Sequence, residues 1–206
     1  IAMQLIQGQS LSHHIKKAKK NVLPSRRYIP VETTVTIMEQ VLDGLDYAHH
    51  QDIIHRDVKP GNILMESRSK RPIILDFGIA KVSRGLEQES SAIQGTPIYM
   101  PPEQIRNETA DRRTDIYASG MMLFEMLVSD LPLPRIDPVE LLLLKLEQKD
   151  RLFKTKPSEM NPGVYPDMDR IVFKAISFDP GDRFASCAEF RQALLDYQNR
   201  HPGKKI

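Results

Sequence analysis

His55-Arg56-Asp57-Val58-Lys59-Pro60-Gly61-Asn62, with Asp76-Phe77-Gly78 downstream, is the stretch whose reading decides the rest of this chain. Pro60-Gly61 is a turn signal, and a turn there would fold Asn62 back onto the side of Asp57. Ile63-Leu64-Met65 and Ile73-Ile74-Leu75 read as short strands joined by the polar turn Glu66 to Arg71. Asp76 therefore stands at the end of a buried strand, where its carboxylate is fixed, and the permissive Gly78 lets the chain turn away.

Outward from this stretch the pattern is mainly helical. Upstream, Ile1 to Ile6 read as a short apolar strand ending at Gln7-Gly8, followed by a basic helix from Ser10 to about Lys20. Its Lys16, Lys17, Lys19 and Lys20 are read as a solvated face rather than a seat for an acidic partner. Pro30 to His50 carries an apolar stripe of Met38, Val41, Leu42, Leu45 and Ala48 at helical spacing. Downstream of a serine-rich loop, Pro101 and Pro102 open a short helix, and Asp115 to Val128 is apolar on nearly every face, the mark of a helix buried all round. Asp137-Pro138-Val139-Glu140 reads as a capped helix start, and Leu141 to Leu144 as core and groove packing. Two more helices are expected near Asp167–Ser177 and Ser186–Gln198, the second opened by a capping box, with 199–206 as a tail.

The 206 residues suit one domain, and 40% hydrophobic with 27% charged residues rules out a disordered chain. A net charge of +2 is too small to imply nucleic acid or an anionic membrane by bulk attraction. The single Cys187 excludes an internal disulfide framework and fits a reducing compartment, so the cytoplasm is the expected location, a membrane-anchored parent protein being compatible with it. No apolar run reaches spanning length, and no membrane contact is expected of this segment.

Moving a phosphoryl group requires Mg²⁺ on oxygen ligands, a cation on the transferring phosphate and a carboxylate facing the attacking hydroxyl. Asp57, Lys59, Asn62 and Asp76 are side chains of those types. In order and spacing they resemble the catalytic loop and metal-binding motif of eukaryotic-type (Hanks-type) serine/threonine protein kinases, with a bacterial flavour. The resemblance implies that Asp57 takes or orients the substrate hydroxyl proton, Lys59 neutralises the γ-phosphate, and Asn62 and Asp76 hold Mg²⁺. Lys59, two residues after Asp57, is similar to the serine/threonine branch rather than the tyrosine branch. Gly95-Thr96-Pro97-Ile98-Tyr99-Met100-Pro101-Pro102-Glu103-Gln104 resembles the substrate-facing end of the activation segment, with Pro102 where the family usually has alanine.

The likeness runs over almost the whole chain. It implies a protein kinase-like α+β fold, here the larger C-lobe only: helices around a buried central helix, with short β-hairpins at the cleft. Asp115 would tie down the catalytic-loop backbone, and Arg183 would pair with Glu103. Residues 1–198 would be the kinase domain with the hinge at 1–8, where Met3 would be the gatekeeper, the backbone of Gln4 to Ile6 would meet adenine, and Leu64 would floor the ring. Arg56 would receive a phosphate on the activation segment, with Ser90, or else Ser91, as the autophosphorylation site. Thr96 would contact Asp57 and Lys59, Phe77 would be a packing switch, and Gly78 would belong with it to the activation segment.

His55 is expected to pack beneath the site rather than act as a base, and His13-His14 and His49-His50 to be surface or helix-end residues. The implied function is transfer of the γ-phosphate of ATP to protein Ser/Thr hydroxyls, with ATP and Mg²⁺ as cofactors, a protein as substrate, and room for self-association in autophosphorylation. The alternative is a pseudokinase or docking scaffold, which would have no use for all four site residues. The sequence contains no Gly-x-Gly-x-x-Gly, and the strand lysine and helix glutamate of the smaller N-lobe are absent from it; the expectation is a piece lacking that lobe and, alone, poorly active.

Overall fold

A computed structural model describes residues 6–77 and 97–202. A small sheet opens the chain and helices make up the rest. Strand β1 (Gly8–Ser10) runs into α1 (Leu11–Lys19), whose first turn is capped by the Ser10 hydroxyl accepting from the His13 N–H. Helix α2 (Val31–His49) leads to the loop bearing Asp57, then to strands β2 (Ile63–Glu66) and β3 (Pro72–Ile74). After the segment at 97–101 come α3 (Pro102–Ile105), α4 (Arg112–Val128), α5 (Pro138–Gln148), α6 (Pro157–Met160), α7 (Pro166–Ala175) and α8 (Cys187–Arg200).

The three strands form one antiparallel sheet in the order β1-β2-β3, with Gln9 opposite Met65 and Leu64 opposite Ile73. The described edge strand begins at Gly8, where a strand ending was expected. The reason is steric: a Cβ on Gly8 would sit 2.4 Å from the Met65 carbonyl oxygen, so only glycine lets this backbone pair so closely.

Helix α2 packs its stripe against α8 and α4, and α4 also packs against α7. All of Thr114 to Phe124 is buried, as the all-round apolar pattern predicts. The helix starts three residues before the expected Asp115, because the Asp111 side chain accepts from the Arg113 N–H and caps it. At Gly120 the α4 and α7 backbones meet; a Cβ there would lie 2.6 Å from the Ala175 Cβ.

Two expected capping boxes form differently. Asp137 accepts from the Val139 N–H at 2.8 Å, one position short of Glu140. At α8, Ser186 accepts from the Glu189 N–H, but the Glu189 carboxylate reaches past Ser186 to the Ala185 N–H at 2.7 Å. Helix α8 also outruns its expected end. His201 stacks on Tyr165 at 4.1 Å and bonds Asp167 at 2.9 Å, so packing continues into the stretch read as tail. Among the described residues no helix is long and apolar enough to cross a membrane.

Candidate active site

The loop after α2 is held from below by one carboxylate. Asp115, fully buried in the first turn of α4, accepts from the backbone N–H groups of His55 and Arg56, each at 2.8 Å. It also accepts from His49 Nε2 at 2.8 Å. A buried charge is costly unless its acceptor sites are met, and three donors converge on this one. Arg56 takes a left-handed φ of 64°, a strained turn that this double anchor holds in place.

His55 is buried and works in two directions. Its Nδ1 accepts from the Asp57 N–H at 3.2 Å, so Nε2 carries the proton that goes to the Leu75 carbonyl at 2.9 Å. The ring thus bridges the loop to the end of β3 and touches Phe77, centroid to centroid, at 4.8 Å. With both nitrogens engaged on backbone, His55 is a brace.

Above this brace the polar side chains meet. Lys59 Nζ donates to Asp57 Oδ2 at 2.8 Å. A single 3₁₀ turn at Pro60–Asn62 brings Asn62 back, and its Nδ2 donates to the Asp57 carbonyl at 2.8 Å and to Oδ2 at 3.0 Å. The Leu75 N–H donates to the Asn62 carbonyl at 2.8 Å, which sets Asp76 one residue from Asn62 across the hairpin end. Asp76 is exposed and left-handed, at φ 53°. The side chains of Asp57, Lys59 and Asn62 are thereby gathered, and the Asp76 backbone follows directly on the strand end that bonds Asn62. With Nδ2 turned to Asp57, Asn62 presents its oxygen Oδ1, and Asp76 adds a carboxylate; both are hard oxygen donors of the kind Mg²⁺ takes. Leu64 points away from buried Ile63 and Met65, to the other face of β2.

The Glu103–Arg183 pair forms as expected. Both guanidinium nitrogens Nη1 and Nη2 reach Glu103, at 2.7 and 2.9 Å. The remaining donors go to the carbonyls of Ser177, Arg113 and Phe178, so all five Arg183 N–H groups are used. Gln104 Nε2 then reaches the Arg56 carbonyl at 3.3 Å, linking α3 to the catalytic loop.

Met3, Gln4, Gly78, Ser90, Ser91 and Thr96 lie outside the described residues. Ile6 is described and half-buried just before β1. Two residues escaped the sequence reading. His49 does stand at the end of α2, but it is no surface histidine: its side chain is 4% exposed, between Asp115 and the Cys187 thiol. Its place four residues after Leu45, on the apolar stripe of α2, was the available signal. Lys145, directly after the four leucines of α5, is buried. A groove of about 960 Å³ beside α1 and α2, lined by Leu11, Tyr28, Ile37 and Lys70, includes none of the four site side chains.

Over residues 1–195 the sequence matches the family described as the protein kinase domain. A probable serine/threonine-protein kinase PknB of Bifidobacterium longum is 35% identical over 202 residues, covering 97% of this chain and 27% of that protein. The tyrosine-protein kinase MasK of Myxococcus xanthus is 30% identical over 212 residues, covering 98% of this chain and 31% of that protein. The fold is similar to the crystal structure of the Mycobacterium tuberculosis PknI kinase domain, with a TM-score of 0.68 and 27% identity over 94% of this chain and 64% of that one. The chain thus spans under a third of the length of these two relatives. Since the match encloses Asp57, Lys59, Asn62 and Asp76 together with the helices that brace them, the chain belongs to the protein kinase family.

Proposed function

We propose that this chain is the larger lobe, from a hinge at 1–8, of a kinase that transfers the γ-phosphate of ATP to serine or threonine hydroxyls of proteins in the cytoplasm. The observation that carries the proposal is the junction of Asp57, Lys59 and Asn62 through one carboxylate oxygen, with Asp76 set beside Asn62 by the Leu75 backbone bond. Asn62 Oδ1 and the Asp76 carboxylate would hold Mg²⁺. Bound there, the ion neutralises charge on phosphate oxygens.

Asp57 is the group that orients the attacking hydroxyl and takes its proton as the bond to phosphorus forms. Lys59 and Asn62 both donate to its Oδ2, which fixes the carboxylate in one rotamer and leaves the ammonium beside the place where phosphate charge moves. Serine/threonine preference rests on Lys59; MasK, a relative named as a tyrosine kinase, makes acceptor identity the first property to measure. Arg56, whose buried Nε has no partner among the described residues, is proposed to receive a phosphate carried by Ser90 of the activation segment.

The deciding experiment is protein phosphorylation by the native protein and by its Asp57→Asn variant. Loss of roughly 10²–10⁴-fold in turnover is expected, with an unchanged thermal midpoint. Retention of full turnover by the folded variant removes the reading.

A further inference from the structure

Lys145 lies in α5 between Leu144 and Leu146, and it is 2% exposed. Its Nζ donates to three backbone carbonyls of one short segment: Pro97 at 3.0 Å, Ile98 at 2.6 Å and Met100 at 2.9 Å. The Tyr117 ring lies 5.4 Å away. An ammonium has three donors, and all three are used on this segment. Burial draws the amine down to about 7, while the three carbonyls favour the charged form, which satisfies one more of them than a neutral amine would.

We propose that Lys145 is a positioning residue that shapes the 97–100 segment as the surface on which the phosphorylated peptide rests, coupling α5 to that surface. This rests on the kinase reading above. The segment has no regular hydrogen-bonded structure beyond one turn, in which the Met100 N–H donates to the Pro97 carbonyl at 3.3 Å. Its form therefore depends on side chains from outside. Lys145 gathers its carbonyls, Glu125 of α4 holds the Tyr99 hydroxyl, and just beyond it Arg183 holds Glu103. Gln104 continues the connection to the Arg56 carbonyl beside Asp57. Of these, only Lys145 acts on the main chain of 97–100, so it sets the path that a docked peptide must follow. Lysine fits this task because its flexible stem and three tetrahedral donors can converge on three carbonyls of one short segment, where a guanidinium spreads its donors in a plane.

The test has a structural arm and a kinetic arm, both on the native protein. In Lys145→Met the stem is kept and the donors are lost. Hydrogen exchange across 97–106 is expected to rise roughly tenfold while exchange in α2 and α8 stays unchanged. Unchanged exchange across 97–106 overturns the proposal, whether or not the protein is a kinase. In the kinetic arm the KM for a peptide substrate is expected to rise roughly tenfold with the KM for ATP unchanged; a fall in kcat alone, with both KM values kept, also overturns it. Absence of phosphorylation activity from the native protein with its smaller lobe included would defeat the kinase reading and leave the exchange arm to decide this one. Leu143→Ala, on the exposed face of the same helix, is expected to change neither readout. Should Lys145→Met unfold the whole chain, Lys145→Cys in a Cys187→Ser background, alkylated with bromoethylamine while unfolded and then refolded, restores an amine at the same reach. Recovery of peptide KM and of exchange protection is then expected, and refolding without that recovery counts against the proposal.

Discussion

At the scale of single residues, two buried carboxylates behave alike. Asp115 and Glu103 are both taken out of water, and both are surrounded by donors drawn from distant parts of the chain. Such a group gives little net stability when complete but is costly when half of it is removed. Arg183→Ala would leave the Glu103 carboxylate with the Thr114 hydroxyl, at 3.1 Å, as its hydrogen-bond donor among the described residues. A loss of about 3–5 kcal/mol is expected, read as a shift of the urea midpoint at constant slope. The same residues show where sequence reasoning reaches and where it stops. Lys59 and Asn62 stand two and five positions from Asp57, so a turn at Pro60-Gly61 suffices to foresee their meeting. Arg183 and Glu103 are 80 positions apart, and only the family resemblance linked them. His49 and Lys145 stayed hidden because a polar side chain on an apolar stripe reads as an exception to the pattern, while each in fact serves a buried partner.

Among the elements, fit between helices depends on what is missing from their surfaces. Gly120 lets α4 and α7 approach until a methyl group would overlap Ala175 and Ile176, at 2.6 and 2.8 Å. Gly120→Ala gains helix propensity but forces the pair apart, and the overpacking term dominates. A destabilisation of about 1–3 kcal/mol is expected by denaturant titration. Helix α8 offers a pH effect of definite sign. Glu189 is held below the ordinary carboxylate range, first by the Lys174 ammonium and then by the Ala185 N–H. A lowered acid contributes stability above its ordinary value of 4.5 and loses it as pH falls through the lowered folded value. The difference in urea midpoint between wild type and Glu189→Gln should therefore shrink between about pH 7 and about pH 3.5. Helix existence was legible from periodicity and caps, as for α2, α4 and α5. Helix ends were less so, because Asp111 and His201 act through partners that local pattern does not reveal.

For the molecule as a whole, the arrangement joins early and late sequence. Helix α8 closes over α2, and Cys187 at its first position meets His49 at the last turn of α2, with sulfur and Nδ1 3.7 Å apart. Apolar stripes made a mainly helical chain readable and the family resemblance supplied the fold class, while the pairing of first helices with last needed coordinates. The thiol is fully buried, and burial with the nearby Asp115 and Asp46 carboxylates pushes its ionisation well above the usual range. An un-ionised, inaccessible sulfur does not react, so the chain's lone cysteine is a built-in clock for the parting of its two ends. Modification by a chromogenic disulfide reagent should proceed at the opening rate when reagent is in excess, and at the pace of a free thiol once urea has separated α8 from α2.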